Sequence, residues 1–600
     1  VNAEQTKIKL GDGINPISFT ILPGADSITS RSRMDMQQNS TLTIQNKKWP
    51  ILGTIAANTT VDFAQTGTTT TDTIKIPVAN YYNLKVTNGI KHFIAGIDTI
   101  RNDLTFDGVA SIHGTGPLYP VAYYNMPALD IRGNVTFLNG ATFAAPNDSW
   151  RLLFIMNGTG TQYINTNGTD LHLGAIRRNN IVDPLNIVVS PNTNVYLGGN
   201  CNYSGLYLFS DQTTLTLTGG LLKFIPDTYY AEINWGGGFL KTNGTSIGLY
   251  ARMIPSYDQL RFANNSTVND FTIDMPPSNY DSVVITNNVT ITGSLNLLHG
   301  KVMMRQGYQM NLANTASVPQ GSGSALSYVD GVMSKDGSSD FTFHIGHLGK
   351  YAPVRLSNYS GNNTYTTQYH FTNFPNLTID PATLATFPGY RVSIEEYWDV
   401  NQAIPGGTVD MDFNYTDANS VFYDPSQIRI AHFDGTDWND LAGTADPANS
   451  ATSGKVSVTG VSTFSPFTFS AATSGIIPVK FTNFTARKED KIVKLNWTTE
   501  QEINSKYFII ERSLNANTWS EITRKNAAGI SLQPIQYNET DYNPAKSVNY
   551  YRLKMIDTDN KISYSTIERV YFNATAETVL MPNPATDKVW LYLPLNAGNV

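Results

Sequence analysis

From about residue 35 to about residue 335, apolar and polar positions alternate over short runs that break at Asn-Gly or Gly-rich corners. The runs NSTLTIQN (39–46), DLTFDG (103–108), ALDIRGNVTFLNGATF (128–143), TTLTLTGGLLKF (213–224) and NVTITGSLNLLHGKVMM (288–304) share this rhythm. Strict alternation places one face of each run in a core and the other in water, so the period predicts β-strands. Asn-Gly pairs at Asn88-Gly89, Asn139-Gly140, Asn157-Gly158, Asn167-Gly168 and Asn243-Gly244 mark the corners. Asn and Gly tolerate the positive φ that sharp corners demand. The strand–corner–strand unit recurs at roughly twenty-residue intervals, about one solenoid coil. An array of β-sandwiches would also use short strands. However, the stretch exceeds one sandwich and has no long Greek-key connection, so a parallel β-helix over 1–337 is the preferred reading.

The rhythm then lengthens. DFTFHIGHLGKYAPVRLSNYSG (340–361), RVSIEEYWDVNQ (391–402), TVDMDFNYTD (408–417) and IRIAHFDGTDWNDL (428–441) alternate cleanly, with turn signals every ten to fifteen residues. This pattern predicts an antiparallel β-sandwich over 338–470. The small, flexible residues 471–477 read as a linker. A third β-unit follows over 478–575, with Trp497 on one strand and Tyr550-Tyr551 on a later one. Residues 576–600 begin a further unit, because KVWLYLPL (588–595) is β-rich and broken by Pro594. The fold class expected is all-β: a right-handed parallel β-helix followed by β-sandwich domains of the immunoglobulin and fibronectin III kind.

Composition narrows the function. Charged residues are 15% and the formal net charge is −7, which disfavours a nucleic-acid binder with its basic face. No apolar run is long enough to cross a membrane as a helix. The lone Cys201 forbids an internal disulfide and makes a cysteine-based zinc site implausible. The start of the chain, VNAEQTKIKL, lacks a basic and apolar export signal. The charge-poor, Asn- and Thr-rich surface fits an extracellular protein.

Candidate chemistry is thin. Asp270 and Asp274 are four apart on one predicted strand with Asp281 beyond, so the first two share a face. Carboxylates on a solenoid face serve catalysis or calcium in β-helical lyases and hydrolases, but corner solvation is the plainer reading. Glu395 and Glu396 point to opposite faces and cannot form an acid pair. FDGTDWND (433–440) and IDTDNKIS (556–563) read as hairpin turns rather than calcium loops. His344 and His347 lie three apart outside any helix and have no third ligand nearby. Aromatic groups near corners, Tyr229-Tyr230 and Trp235 to Phe239, suit sugar stacking but better suit core packing. These residues yield no catalytic assignment, no metal site and no cofactor.

Three stretches carry a resemblance. TTVDFAQTGTTTTDTIKIPVANYYNLKVTNGIKHFIAGIDTIRNDLTF (59–106) resembles β-helical segments of large surface proteins of Bacteroidota, and the sandwich motifs EEYWDV and FDGTDW resemble the module that follows them there. Residues 478–575 resemble the fibronectin III-like module that precedes the sorting domain of cargo of the type IX secretion system. Met581, Pro582, Asn583, Pro584 and Ala585 resemble the opening motif of a type A sorting domain, with Met581 in place of the usual aromatic. Such a domain normally runs further, so the resemblance implies that only its first strands are included here. It also implies recognition of the tail by the outer-membrane translocon and its shuttle protein, followed by cleavage. Asp-Ser/Thr-apolar triplets resemble the O-glycosylation pattern of exported Bacteroidota proteins, which marks Ser27, Thr73, Thr99 and Ser282. The expected function is a non-enzymatic surface or secreted protein used in adhesion or gliding, with a surface polysaccharide or glycan as a further partner. The alternative is a secreted β-helical polysaccharide lyase or hydrolase.

Overall fold

The computed structural model describes residues 7–23, 33–46, 49–66, 74–94, 96–109, 111–114, 127–143, 152–178, 185–198, 205–208, 213–225, 239–250, 259–276, 282–372, 390–393, 396–416, 425–435, 438–450, 453–464, 466–472, 479–503, 505–531, 534–557, 562–572, 579–581 and 590–592. Almost every regular element among them is a strand, the exception being a 3-10 turn at Pro425–Gln427. The chain is all-β: a β-helix followed by sandwich-like sheets.

In the solenoid, each strand pairs in parallel with its counterpart one coil on. Alternation makes this work, because equivalent residues stack. Ile21, Ile44, Phe63, Val86, Phe106 and Phe137 form one inward column in direct register. Leu42, Val61, Leu84, Leu104, Val135, Ile164 and Val189 form the column beside it, and all seven are buried. Farther along, Leu171, Val195, Leu222, Ile247, Phe271 and Leu295 line a second face. Phe106 stacks on Phe137 with ring centroids 4.9 Å apart. The outward column reads Thr20, Thr43, Asp62, Lys85, Thr105, Thr136 and Asn165. The coil is uneven: register partners are nineteen residues apart at Thr41 and Thr60 but thirty-one apart at Leu104 and Val135. This variation explains why the repeat looks degenerate in sequence.

Corners are built by two devices. Both residues of Asn88-Gly89, Asn139-Gly140 and Asn167-Gly168 have positive φ, as the Asn-Gly reading requires. At Asn243-Gly244 only the glycine does, and Asn157-Gly158 is absent from that set. A second device escaped the sequence reading. Asn39, Asn58, Asn192 and Asn265 also have positive φ. Each is followed by a buried Ser or Thr whose hydroxyl donates back to the carbonyl three residues earlier. The bonds are Ser40 to Gln37 (2.6 Å), Thr59 to Ala56 (2.8 Å), Thr193 to Ser190 (2.8 Å) and Ser266 to Ala263 (2.7 Å).

The sandwich is continuous with the solenoid. Strand Val332–Gly337 pairs in parallel with Gln309–Leu312, the preceding coil, and antiparallel with Asn363–His370. From there one sheet runs through Tyr397–Gln402, Pro466–Ala472 and Ile428–Phe433. The other sheet comprises Phe341–Phe343, Val354–Ser357, Val409–Thr416 and Ser453–Val461. Buried Trp398 joins them, 5.4 Å from Phe413 and 4.9 Å from Phe469 between ring centroids. Solenoid and sandwich share one hydrophobic core from Leu10 to Phe469.

Ala471 and Ala472, expected in the linker, instead end strand Pro466–Ala472, and the unit from Val479 on has a separate core around Trp497, Phe508, Tyr551 and Leu553. Its two sheets centre on Ile492–Ile503 and on Val548–Asp557. Trp497 and Tyr551 are both buried, as their places on alternating strands predict. The expected hairpins form here and in the sandwich, with Ile556 opposite Ile562 and Phe433 opposite Trp438.

Candidate functional site

Four of the solenoid's described carboxylates share one use. Asp270 lies where strand Thr267–Asp274 leaves one partner strand for the next. Its Oδ1 accepts from the backbone N–H of Ser294 (2.8 Å) and from the Ser294 hydroxyl (2.6 Å), one coil on. Asp35 does the same for Thr54 N–H (2.7 Å), Asp103 for Asn134 (2.7 Å) and Asp170 for Asn194 (3.2 Å). Asn134 continues the ladder by accepting from Tyr163 N–H at 2.8 Å. Sheet pairing lapses at a corner, and for Asp35 at the register shift between strands Arg33–Met36 and Ile51–Ile55, so a side-chain acceptor there satisfies an N–H that would otherwise lack a partner. Asp274 meets Nδ1 of His299 at 2.9 Å, and Asp281 lies outside the described residues.

The outward face holds one charged group of note. Lys85 reaches Asp107 at 2.8 Å and Asp62 at 4.0 Å, on the coils either side. Burial raises the Asp62 carboxyl above its ordinary range, opposed by the Thr87 hydroxyl and by Lys85. The hydrogen bond to Asp107 raises Lys85, against desolvation. The three form a compensated stack rather than a free acid.

Lys91 and Asp98 point inward from the solenoid strands, which sequence reasoning missed. Lys91 is fully buried and donates to the carbonyls of Gln65 (2.8 Å) and Asn88 (2.6 Å). Burial pulls its ammonium down to about 8. Asp98 is 1% exposed. Its Oδ1 accepts from Ala79 N–H at 2.9 Å, and burial, outweighing that bond, pushes the carboxyl up to about 7. The signal was present: Lys91 and Asp98 fall in phase with the inward apolar positions of their strands.

The remaining sequence candidates separate. Glu396 is buried and accepts from the Tyr369 hydroxyl at 2.7 Å, a structural bond, and Glu395 is outside the described residues. Asp440 of the FDGTDWND hairpin is held by the Arg429 guanidinium at 2.5–3.0 Å, while Asp434 accepts from Asn439 at 2.8 Å. His344 and His347 do not converge: His344 Nδ1 meets the Tyr351 hydroxyl at 2.5 Å, and His347 Nδ1 meets Asp330 at 2.8 Å. Among the described residues no three His, Cys, Asp or Glu side chains gather to hold a metal. Phe239 lies under the Arg261 guanidinium at 4.6 Å, whereas Tyr229, Tyr230, Trp235 and Cys201 are outside the described residues.

Of the triplets, Thr99 is half-buried on Gly96–Ile100 and Ser282 is 8% exposed on Ser282–Ile285; Ser27 and Thr73 lie outside the described residues. Met581 ends strand Val579–Met581, which pairs antiparallel with Trp590–Tyr592, Met581 opposite Trp590. Pro582, Asn583, Pro584 and Ala585 lie outside the described residues, between these two strands in chain order.

A cleft of about 670 Å³ opens where solenoid meets sandwich, within the ~300–1,000 Å³ usual for small-ligand sites. Its walls are the connection 314–322, Lys335 at the end of the last solenoid strand, and residues 339–344 of the sandwich. Lys335 is buried and staples these parts, donating to the carbonyls of Ala313 (2.8 Å), Asn314 (2.7 Å) and Asp336 (2.8 Å). Burial holds His344 down at about 4, so its ring is neutral at ordinary pH. The Ser-, Gly- and Pro-rich run ASVPQGSGS (316–324) was the available hint of a built surface loop.

No family model matches the chain, and no curated protein does. Among solved structures, the crystal structure of a β-1,2-glucanase from Parabacteroides distasonis is similar at 12% identity and a TM-score of 0.12, over 41% of this chain and 38% of that one. A likeness this low carries no argument.

Proposed function

We propose that the chain is cargo of the type IX secretion system and acts outside the cell as a non-enzymatic adhesin or gliding-associated surface protein. The observation that carries this reading is the pairing of Val579–Met581 with Trp590–Tyr592 directly after the fibronectin-like unit. Met581 ends the first of these strands, and Pro582 to Ala585 follow it in chain order. A prefolded β-unit presents edge strands and a defined surface to a receptor, here the translocon and its shuttle protein. The non-enzymatic half of the reading draws on Asp35, Asp103, Asp170 and Asp270, which are occupied in binding coil to coil. A lyase or hydrolase on this solenoid would need outward acids free to act.

External protease added to intact native cells tests this. The protein should be digested at the surface or found in the medium, while a periplasmic marker survives. Full protection of the protein inside intact cells would defeat the proposal.

A further inference from the structure

We propose that the cleft at the solenoid–sandwich seam binds a neutral saccharide segment. This rests on the surface-protein reading for the source of the ligand, but its chemistry comes from the walls.

The charges around the cleft are already spent. The Lys335 ammonium has three carbonyl partners. Asp340 pairs with Arg355 at 2.5 Å. His344 is uncharged, as shown above. An anion would find no free cation here, and a cation no free carboxylate. What the lining does present is hydroxyl and amide chemistry. Ser317, Gln320, Ser322, Ser339 and Thr342 all line the cleft, and their side chains have no hydrogen-bond partner among the described residues. Ser322 is 6% exposed as a residue and lines the cleft. Its hydroxyl has no protein partner among the described residues and is open to whatever occupies the cleft. Serine and threonine hydroxyls and the glutamine amide each donate and accept. Sugar hydroxyls do the same, and their C–H faces suit the neighbouring Val318 and Pro319 side chains.

The wall at His344 is also preorganised. Gly323 has φ +82°, and a Cβ there would come within 2.7 Å of His344 Cε1, so backbone and imidazole are in close contact. The Tyr351 hydroxyl holds Nδ1 of the same ring. Rigid placement of polar groups lowers the ordering cost of binding.

The test is calorimetric titration of the purified chain with short linear gluco-, manno- and galacto-oligosaccharides. A uronate oligosaccharide and a basic peptide serve as charged comparators. At least one neutral oligosaccharide should bind, and Gln320→Trp, which fills the cleft from an exposed position, should weaken it at least about tenfold. Ser322→Ala should weaken it less, and Thr136→Ala on the solenoid's outer face should leave it unchanged. The proposal is overturned if no neutral oligosaccharide binds, if neither cleft variant weakens binding, or if only a charged comparator binds at the cleft. A chain that reaches the surface yet binds none of the probes defeats this inference alone. A chain that binds but never leaves the cell keeps the cleft and defeats the export reading.

Discussion

Asp270 and Asp98 mark the two ends of what single residues disclosed. The alternation of strand Thr267–Asp274 turned Asp270 outward, and corner duty was the plainer of its two readings. What no spacing could supply was its partner, Ser294, which only register brings one coil away. Asp98 was legible only as part of a modification triplet, whereas its position in phase with Ile100 aims it at the core. There it has a testable consequence. The folded-state carboxyl is raised to about 7 by burial, against an unfolded value near 3.9. The stability it permits is therefore full below about pH 4 and declines as pH rises toward 7, because the unfolded chain ionises freely and the folded one does not. Asp98→Asn should accordingly be more stable than the parent at pH 8, by about 2–4 kcal/mol, with the gap closing near pH 4. Denaturant midpoints at the two pH values read this directly; a gap that is equal at both would refute it.

Element by element, strands were easy and corners only half so. Inward columns such as Leu42, Val61, Leu84 and Leu104 follow from alternation, since side chains two apart share a face. Asn-Gly corners were recognised because the dipeptide has a known backbone preference. The Asn-Ser/Thr corners were not, because the dipeptide's meaning depends on a bond back to the residue three before it. That bond makes a prediction. Thr59→Val keeps the shape but removes the buried donor to Ala56, leaving the carbonyl of that half-buried residue short of one partner. The loss should be about 1–2 kcal/mol, and amide exchange should quicken around residues 56–61 before it does elsewhere. Uniform exchange across the solenoid would contradict the corner's role. The cleft stayed hidden for a related reason: its walls come from segments separated in sequence by a full strand.

At the scale of the molecule, the change of rhythm near residue 338 marks a change of strand pairing but not a break in the core. Strand Val332–Gly337 carries a solenoid partner on one edge and a sandwich partner on the other, and the buried cluster is continuous across it. A chain ending at 337 would bare that edge together with the inward residues beside it, and exposed edges invite aggregation. A chain ending at 472 should instead stay soluble and folded, since the unit from Val479 on has its own core. Size-exclusion profiles of the two truncations separate these outcomes; a soluble, monomeric 1–337 fragment would show the seam to be dispensable. The account of function turns on the tail. The decisive measurement is removal of everything from Met581 onward, including any chain that follows residue 600, with the protein then located in the native bacterium. Accumulation in the periplasm is the result predicted for an export address. Undiminished arrival outside the cell would contradict it and return the last strands to the working part of the protein.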